Sequence, residues 1–332
     1  MGELVKRIVL LGNRLFMKFP SLAYFQRRAD EIPATVVSTD GMDEAETRQA
    51  VRGASALVLI GHPVPRDLIN EAQELEFIMT LSVGFDVVDV AAATERKIPV
   101  SNCPLYCSEE VAQHAITLAL TVGRKIHELI PHVRDGGWDY KQARPVHSLT
   151  NRRFAILGLG RIGRQSARMA RGLGMRVLAY DPYLDDDIFR HLEVERCYEL
   201  ADLLSQADYL TVHTPLTDET WHLLDRDSLA LLPAHAVVVN TARGGIIDRE
   251  ALEEALSSGA IGGAGVDVLE SEPPTGHERL LSLPNAVVTP HIAWYSEESH
   301  EHNMTLGMDE LVRVLTGYRP RYVVNPQIFS RR

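Results

Sequence analysis

Three side-chain types able to bind an anion, hold a charge and move a proton follow successive apolar runs. Arg243 comes just past the valines of "AVVVNTARGG". Asp267, Glu270 and Glu272 lie in and after "GAGVDVLESEPP", and His291 ends "AVVTPH" in "AVVTPHIAW". A guanidinium grips a carboxylate or polarised carbonyl through a planar, permanently charged fork. An imidazole titrates where it can give a proton to a carbonyl oxygen or take one from a hydroxyl. A nearby carboxylate, Glu272, favours the imidazolium. Singly, each has an ordinary alternative: a loop charge, a solvated turn before Pro273, a structural histidine. Their meaning depends on what else ends where they end.

A nucleotide fingerprint supplies the context. "ILGLGRIG" sets Gly158, Gly160 and Gly163 at G-x-G-x-x-G spacing after a strand, with Arg161 and Ile162 opening a helix. Glycines permit the tight turn, and the helix N-terminus faces a pyrophosphate. "MRVLAYD" ends in Asp181, twenty-three residues after Gly158, where a carboxylate accepts ribose hydroxyls. The acidic "PYLDDD" that follows does not welcome a 2′-phosphate, so NAD is expected rather than NADP. His213 and Pro215 in "VHTP" are expected on the cofactor's adenosine side, and Thr241, Ala242 and Asp267 beside it on later strand ends. Arg243, Glu272 and His291 then fall at the nicotinamide end. That set suits hydride transfer between NAD and a small 2-hydroxy or 2-keto acid: Arg243 binds substrate, His291 is the acid/base and Glu272 tunes it.

Such groups need strand ends to hold them. "KRIVLLG", "ATVVSTD", "ALVLIGH", "LEFIMTLSVG" and "IPVSN" read as strands of one small domain, with helices in "MDEAETRQAVRG" and "PRDLINEAQ". One long helical stretch, "SEEVAQHAITLALTVGRKIHELIPHVRDG", precedes a second series: "RFAILG", "MRVLAYD", "DYLTVHT", "AVVVNT", "GAGVDVL" and "AVVTP". "SEESHEHNMTLGMDELVRVLTG" reads as a helix returning to the first domain. The expected fold is α/β, with two doubly wound parallel-sheet domains. A Rossmann NAD-binding domain, 103–292, is inserted into a flavodoxin-like substrate-binding domain, 1–102 and 293–332, with a cleft at the crossings.

Composition narrows the class. The 332 residues are 45% hydrophobic and 24% charged, ordinary for a globular chain, and the net charge of -11 argues against a general nucleic-acid surface. No apolar run is long enough for a bilayer, and "MGELVKRIVLLGNRLF" lacks a secretory pattern. Cys103, Cys107 and Cys197 have no metal-ligand spacing, so a cytoplasmic protein without a metal site is expected. His114, in the long helix, reads as a packed or capping residue.

"GLGRIG", "YDPY", "NTARGGIID", "GAGVDVLESEP" and "TPHIAW" together resemble the D-isomer-specific 2-hydroxyacid dehydrogenases over essentially the whole chain. The resemblance implies Arg243, Glu272 and His291 as the catalytic set. It also implies that backbone amides around Val83 and Gly84, in "LSVGFDVVD", hold the substrate carboxylate. Ser82 stands where the family often has glycine, and Glu272 where formate dehydrogenases have glutamine, which argues against formate. "YDPYL", "ESEPP" and "TPHIAWYSEES" look like the C-terminal-binding proteins, NAD-dependent corepressors of the same fold. That likeness implies Trp294 as a pocket wall favouring methylthio-keto acids, and a homodimer built through the cofactor domain. An NAD-sensing regulator with a peptide groove is thus the alternative. The compact length, with no tail for partners, favours the enzyme.

Overall fold

The structure, a computed structural model, describes residues 5–12 and 27–330. The opening segment read for a targeting pattern lies partly outside them. The chain divides into two compact units, Met1–Cys107 with Ser296–Arg332, and Ser108–Tyr295. Each is an α/β unit built on one parallel sheet.

In the first unit the strands are β1 (Lys6–Gly12), β2 (Ala34–Ser38), β3 (Ala56–Ile60), β4 (Phe77–Thr80) and β5 (Val100–Ser101), in the order β2-β1-β3-β4-β5. This is the flavodoxin-like order. Continuous apolar runs such as Ile8 to Leu11 are fully buried, as a parallel strand covered on both faces requires. The helix Glu44–Arg52 starts where "MDEAE" predicts, because Asp43 and Glu46 form a capping box. The helix Glu297–Leu315 begins with another box, between Ser296 and Ser299. It presses close to the end of β4, where a Cβ at Gly307 would lie 2.1 Å from Leu81 Cδ2.

In the second unit the strands are β6 (Arg153–Leu157), β7 (Arg176–Tyr180), β8 (Glu195–Arg196), β9 (Tyr209–Val212), β10 (Val237–Asn240), β11 (Gly263–Val266) and β12 (Ala286–Val288). Their order, β12-β11-β10-β9-β6-β7-β8, is that of a Rossmann sheet with one extra strand. The connections reverse direction between β6 and β9. Because every pairing is parallel, all the carboxyl ends share one edge of the sheet.

Two details differ from the sequence reading. The long helical stretch is two helices, Ser108–Gly123 and Ile126–Arg134, separated by Lys125 in a left-handed conformation at φ 54°. Gly123 itself is wedged against Tyr209, whose hydroxyl would lie 2.3 Å from a Cβ there. The unit boundaries also fall a few residues later than expected. Cys103 stays with the first unit because its amide donates to the Ser82 carbonyl at 2.9 Å. Ala293 stays with the second because its amide donates to Asp267 at 2.8 Å. All the cysteines are buried free thiols, and among the described residues no helix is long and apolar enough to cross a membrane.

Candidate active site

The glycine loop follows β6. Gly158 has φ 92°, and a Cβ there would meet the His213 carbonyl carbon at 2.9 Å, so only glycine fits. A Cβ at Gly163 would lie 2.2 Å from the Gly158 oxygen, which fixes close packing of the helix on its own loop. Gly160 differs: a Cβ there would point into open space. Gly160 is the N-cap of the helix Arg161–Gly172 and offers no side-chain cap, leaving the first-turn amides around Arg161 and Ile162 to a ligand or water. Asp181, after β7, accepts from the Leu159 amide at 3.0 Å and the Tyr183 amide at 3.1 Å. Its carboxylate is thereby tied to the glycine loop. The Tyr183 hydroxyl, at the far end of its side chain, donates to Glu219 at 2.5 Å.

After β9, His213 Nε2 lies 2.9 Å from Ser166 Oγ and 3.1 Å from Thr211 Oγ1, both fully buried. Burial pushes this imidazole down to about 3. It is therefore neutral in the fold at pH values where the unfolded chain binds a proton. Stability must fall as pH drops below about 6.5, by at most about 1.4 kcal/mol per pH unit from this group. Denaturant titrations at pH 7 and pH 5 should show His213→Gln losing less stability over that interval than wild type. An identical loss would show that His213 carries none of it. Pro215 accepts from Thr220 Oγ1 at 2.7 Å, which folds the following loop on itself.

The residues present fit a dinucleotide. Thr214 Oγ1 and Thr241 Oγ1, just past β9 and β10, are buried hydroxyl oxygens with no protein partner. Buried hydroxyls are normally paired, so these two suit a polar ligand.

Past β10, Arg243 is half-buried, and its guanidinium donates to the Ala242 carbonyl at 2.8 Å. The next residue, Gly244, touches the loop after β11, where a Cβ would sit 2.0 Å from the Leu269 carbonyl carbon. That contact draws the Arg243 turn against the loop carrying Glu272. Glu272 accepts from the Leu269 amide at 2.8 Å, and its other oxygen lies 2.6 Å from His291 Nδ1. His291 follows β12 with φ 53°, a left-handed conformation unusual for a residue with a side chain. Trp294 Nε1 donates to the His291 carbonyl at 3.0 Å, and the ring meets Tyr295 edge to face at 5.4 Å. Arg243, Glu272 and His291 thus all stand past β10, β11 and β12, three neighbours at the edge that carries the glycine loop.

In the first unit, the loop after β4 turns its carbonyls inward. Ser82 accepts from the Cys103 amide at 2.9 Å, Val83 from Asn102 Nδ2 at 2.6 Å, and Gly84 from Ser82 Oγ at 2.6 Å. In a trans peptide the N–H points opposite to the C=O, so the Val83 and Gly84 amides face the other way. Ser82 locks this loop with its hydroxyl.

Residues 116–293 match the NAD-binding domain of the D-isomer-specific 2-hydroxyacid dehydrogenases. The chain belongs to that family. It is 37% identical to a D-3-phosphoglycerate dehydrogenase of Methanocaldococcus jannaschii over 89% of this chain and 56% of that one. It is 35% identical to a glyoxylate reductase of Korarchaeum cryptofilum over 86% of each. The NADPH-dependent glyoxylate/hydroxypyruvate reductase of Sinorhizobium meliloti, solved with NADP and malonate, superposes with a TM-score of 0.85 at 30% identity, over 99% of each chain. These relatives carry enzyme names, so the corepressor-like regulator is not favoured.

Two buried polar residues of this dehydrogenase brace the turns that carry Arg243 and His291. Asn240, 1% exposed at the end of β10, accepts from the Ala242 amide at 3.0 Å and donates to the Arg243 carbonyl at 2.8 Å. It clamps the turn that presents Arg243. The Asp267 carboxylate is fully enclosed. It accepts from Thr289 Oγ1 at 2.5 Å and from the amides of Ile292 at 3.0 Å and Ala293 at 2.8 Å. In this structure Asp267 holds the His291 turn from beneath. Glu270 pairs with His222 at 2.8 Å.

Proposed function

We propose that this dehydrogenase reduces a small 2-keto acid to the D-2-hydroxy acid, and runs the reverse oxidation, with NAD as its redox partner. The observation that carries this reading is the 2.6 Å Glu272–His291 pair on the same sheet edge as the glycine loop. When bound, the nicotinamide supplies or accepts the hydride. Arg243 grips the substrate oxygens and polarises the carbonyl. Glu272 holds Nδ1 of His291, so proton exchange with the substrate oxygen falls to Nε2. In reduction, His291 gives its proton to the nascent alkoxide; in oxidation, it takes the hydroxyl proton. The outward amides of Val83 and Gly84 take the substrate carboxylate, and Trp294 shapes the pocket for the side chain.

Thr214, Thr241 and the Gly160 turn would hold the dinucleotide, with Asp181 on its adenosine ribose. The acidic Asp181 and Glu219 support NAD over NADP. An exposed apolar stripe, Ile126, Ile130 and Val133 at 43%, 46% and 48% exposure, supports a homodimer, and the buried free thiols support a cytoplasmic setting.

The test is NADH and NADPH consumption across glyoxylate, hydroxypyruvate, pyruvate and 4-methylthio-2-oxobutanoate. At least one acid should be turned over, with NADH clearly more efficient than NADPH. Asp181→Ser should weaken NADH binding about tenfold and narrow that preference. Equal use of both cofactors by the unmodified protein would contradict the role of Asp181, and inertness toward every 2-keto acid would sink the reaction class.

A further inference from the structure

His114 reaches the catalytic turn through an unusual fit between a helix and a strand. On β11, Gly263, Gly265 and, just beyond its end, Asp267 point to one side at steps of two. On the helix Ser108–Gly123, Val122, Leu118 and His114 form one stripe at steps of four. A Cβ at Gly263 would lie 2.5 Å from Val122 Cγ1, and one at Gly265 would lie 2.7 Å from Leu118 Cβ. The bare strand lets the helix settle directly on it. Two strand residues rise about 6.6 Å and four helix residues about 6 Å, so stripe and strand stay in step. The third member of the stripe therefore arrives at Asp267.

There, His114 Nε2 lies 3.0 Å from Thr289 Oγ1 and 3.6 Å from Asp267 Oδ1. Thr289 donates its hydroxyl hydrogen to Asp267, so its oxygen accepts from His114 Nε2–H. Asp267 in turn receives the Ile292 and Ala293 amides, and its backbone carbonyl receives the His291 amide at 2.8 Å. A continuous chain of hydrogen bonds joins His114 to the left-handed turn at His291.

We propose that His114 is a positioning residue for His291, acting through Thr289 and Asp267. The inference rests on the reading of His291 as the acid/base. His114 acts through the protein: it fixes the hydroxyl that orients the enclosed carboxylate, and the carboxylate fixes the turn.

The experiment is a double-mutant cycle on the full chain, with kcat, KM and NADH affinity by fluorescence titration. His114→Ala should lower kcat about tenfold, since small misplacements far from the chemistry are costly, while KM and NADH affinity stay within about twofold. His114→Gln, whose side-chain amide can still donate to Thr289, should recover most of that loss. The H114A/T289V double variant should lose no more than T289V alone, because both substitutions break one chain. Should H114A fold poorly, H114Q and T289V carry the same comparison. Fully additive losses, or an NADH affinity that falls in step with kcat, would overturn the proposal. If His291→Ala retains turnover, the acid/base reading falls and takes this proposal with it. If H291A is inactive but the cycle is additive, only the role of His114 fails.

Discussion

His291→Ala is expected to bind NADH almost as wild type does while losing about two to four powers of ten in keto-acid reduction, the usual contribution of a general acid/base. The imidazole sits 2.6 Å from Glu272, so its removal deletes the proton donor and leaves Glu272 only its bond from the Leu269 amide at 2.8 Å. His291→Asn is the better-behaved companion, because asparagine tolerates the left-handed backbone found at this position. Turnover within a few-fold of wild type at every pH would remove His291 from the mechanism.

The second large effect belongs to Arg243. Replacing it with alanine removes a planar charged fork from both the ground state and the developing alkoxide. A fall of about 10² to 10³ in kcat/KM is expected, in line with the loss of one preorganised electrostatic contact. Arg243→Lys should recover only part of this, because an ammonium is a point charge without the two-pronged geometry. The turn itself should survive, since Asn240 holds its backbone rather than its guanidinium. NADH affinity is the control, and it should change little. A lysine variant as active as wild type would mean that charge alone, not the fork, matters there.

Much of this arrangement was legible in the amino acids. Strands of a parallel sheet are covered on both faces, so they appear as uninterrupted apolar runs, and the proposed Arg243, Glu272 and His291 each come in the loop after such a run. The glycine loop was legible because its spacing is local, although Gly158 also makes room for the distant His213 carbonyl. What escaped the reading depends on partners distant in sequence. The break at Lys125 goes with Gly123 packing on Tyr209, which no local pattern announces. Asp267 looked like a ligand contact because it ends a strand at the right edge. The returning segment, with Thr289, Ile292 and Ala293, gives its oxygens a structural task that no local pattern announces. Ser82 departs from the family pattern, yet its hydroxyl closes the loop on Gly84. Asn240 passed as part of a motif, although it shapes the backbone before Arg243.

The left-handed backbone at His291 has a consequence for anyone improving this protein. A side chain held at φ 53° costs about 1 kcal/mol relative to glycine. The hydrogen-bonded pair with Glu272 returns about the same amount. Those contributions oppose each other, so glycine at 291 should melt near the wild-type temperature while catalysing almost nothing. A library sorted only on heat resistance would therefore accumulate inactive clones without any warning from the assay. Screens on this scaffold need an activity gate at every round.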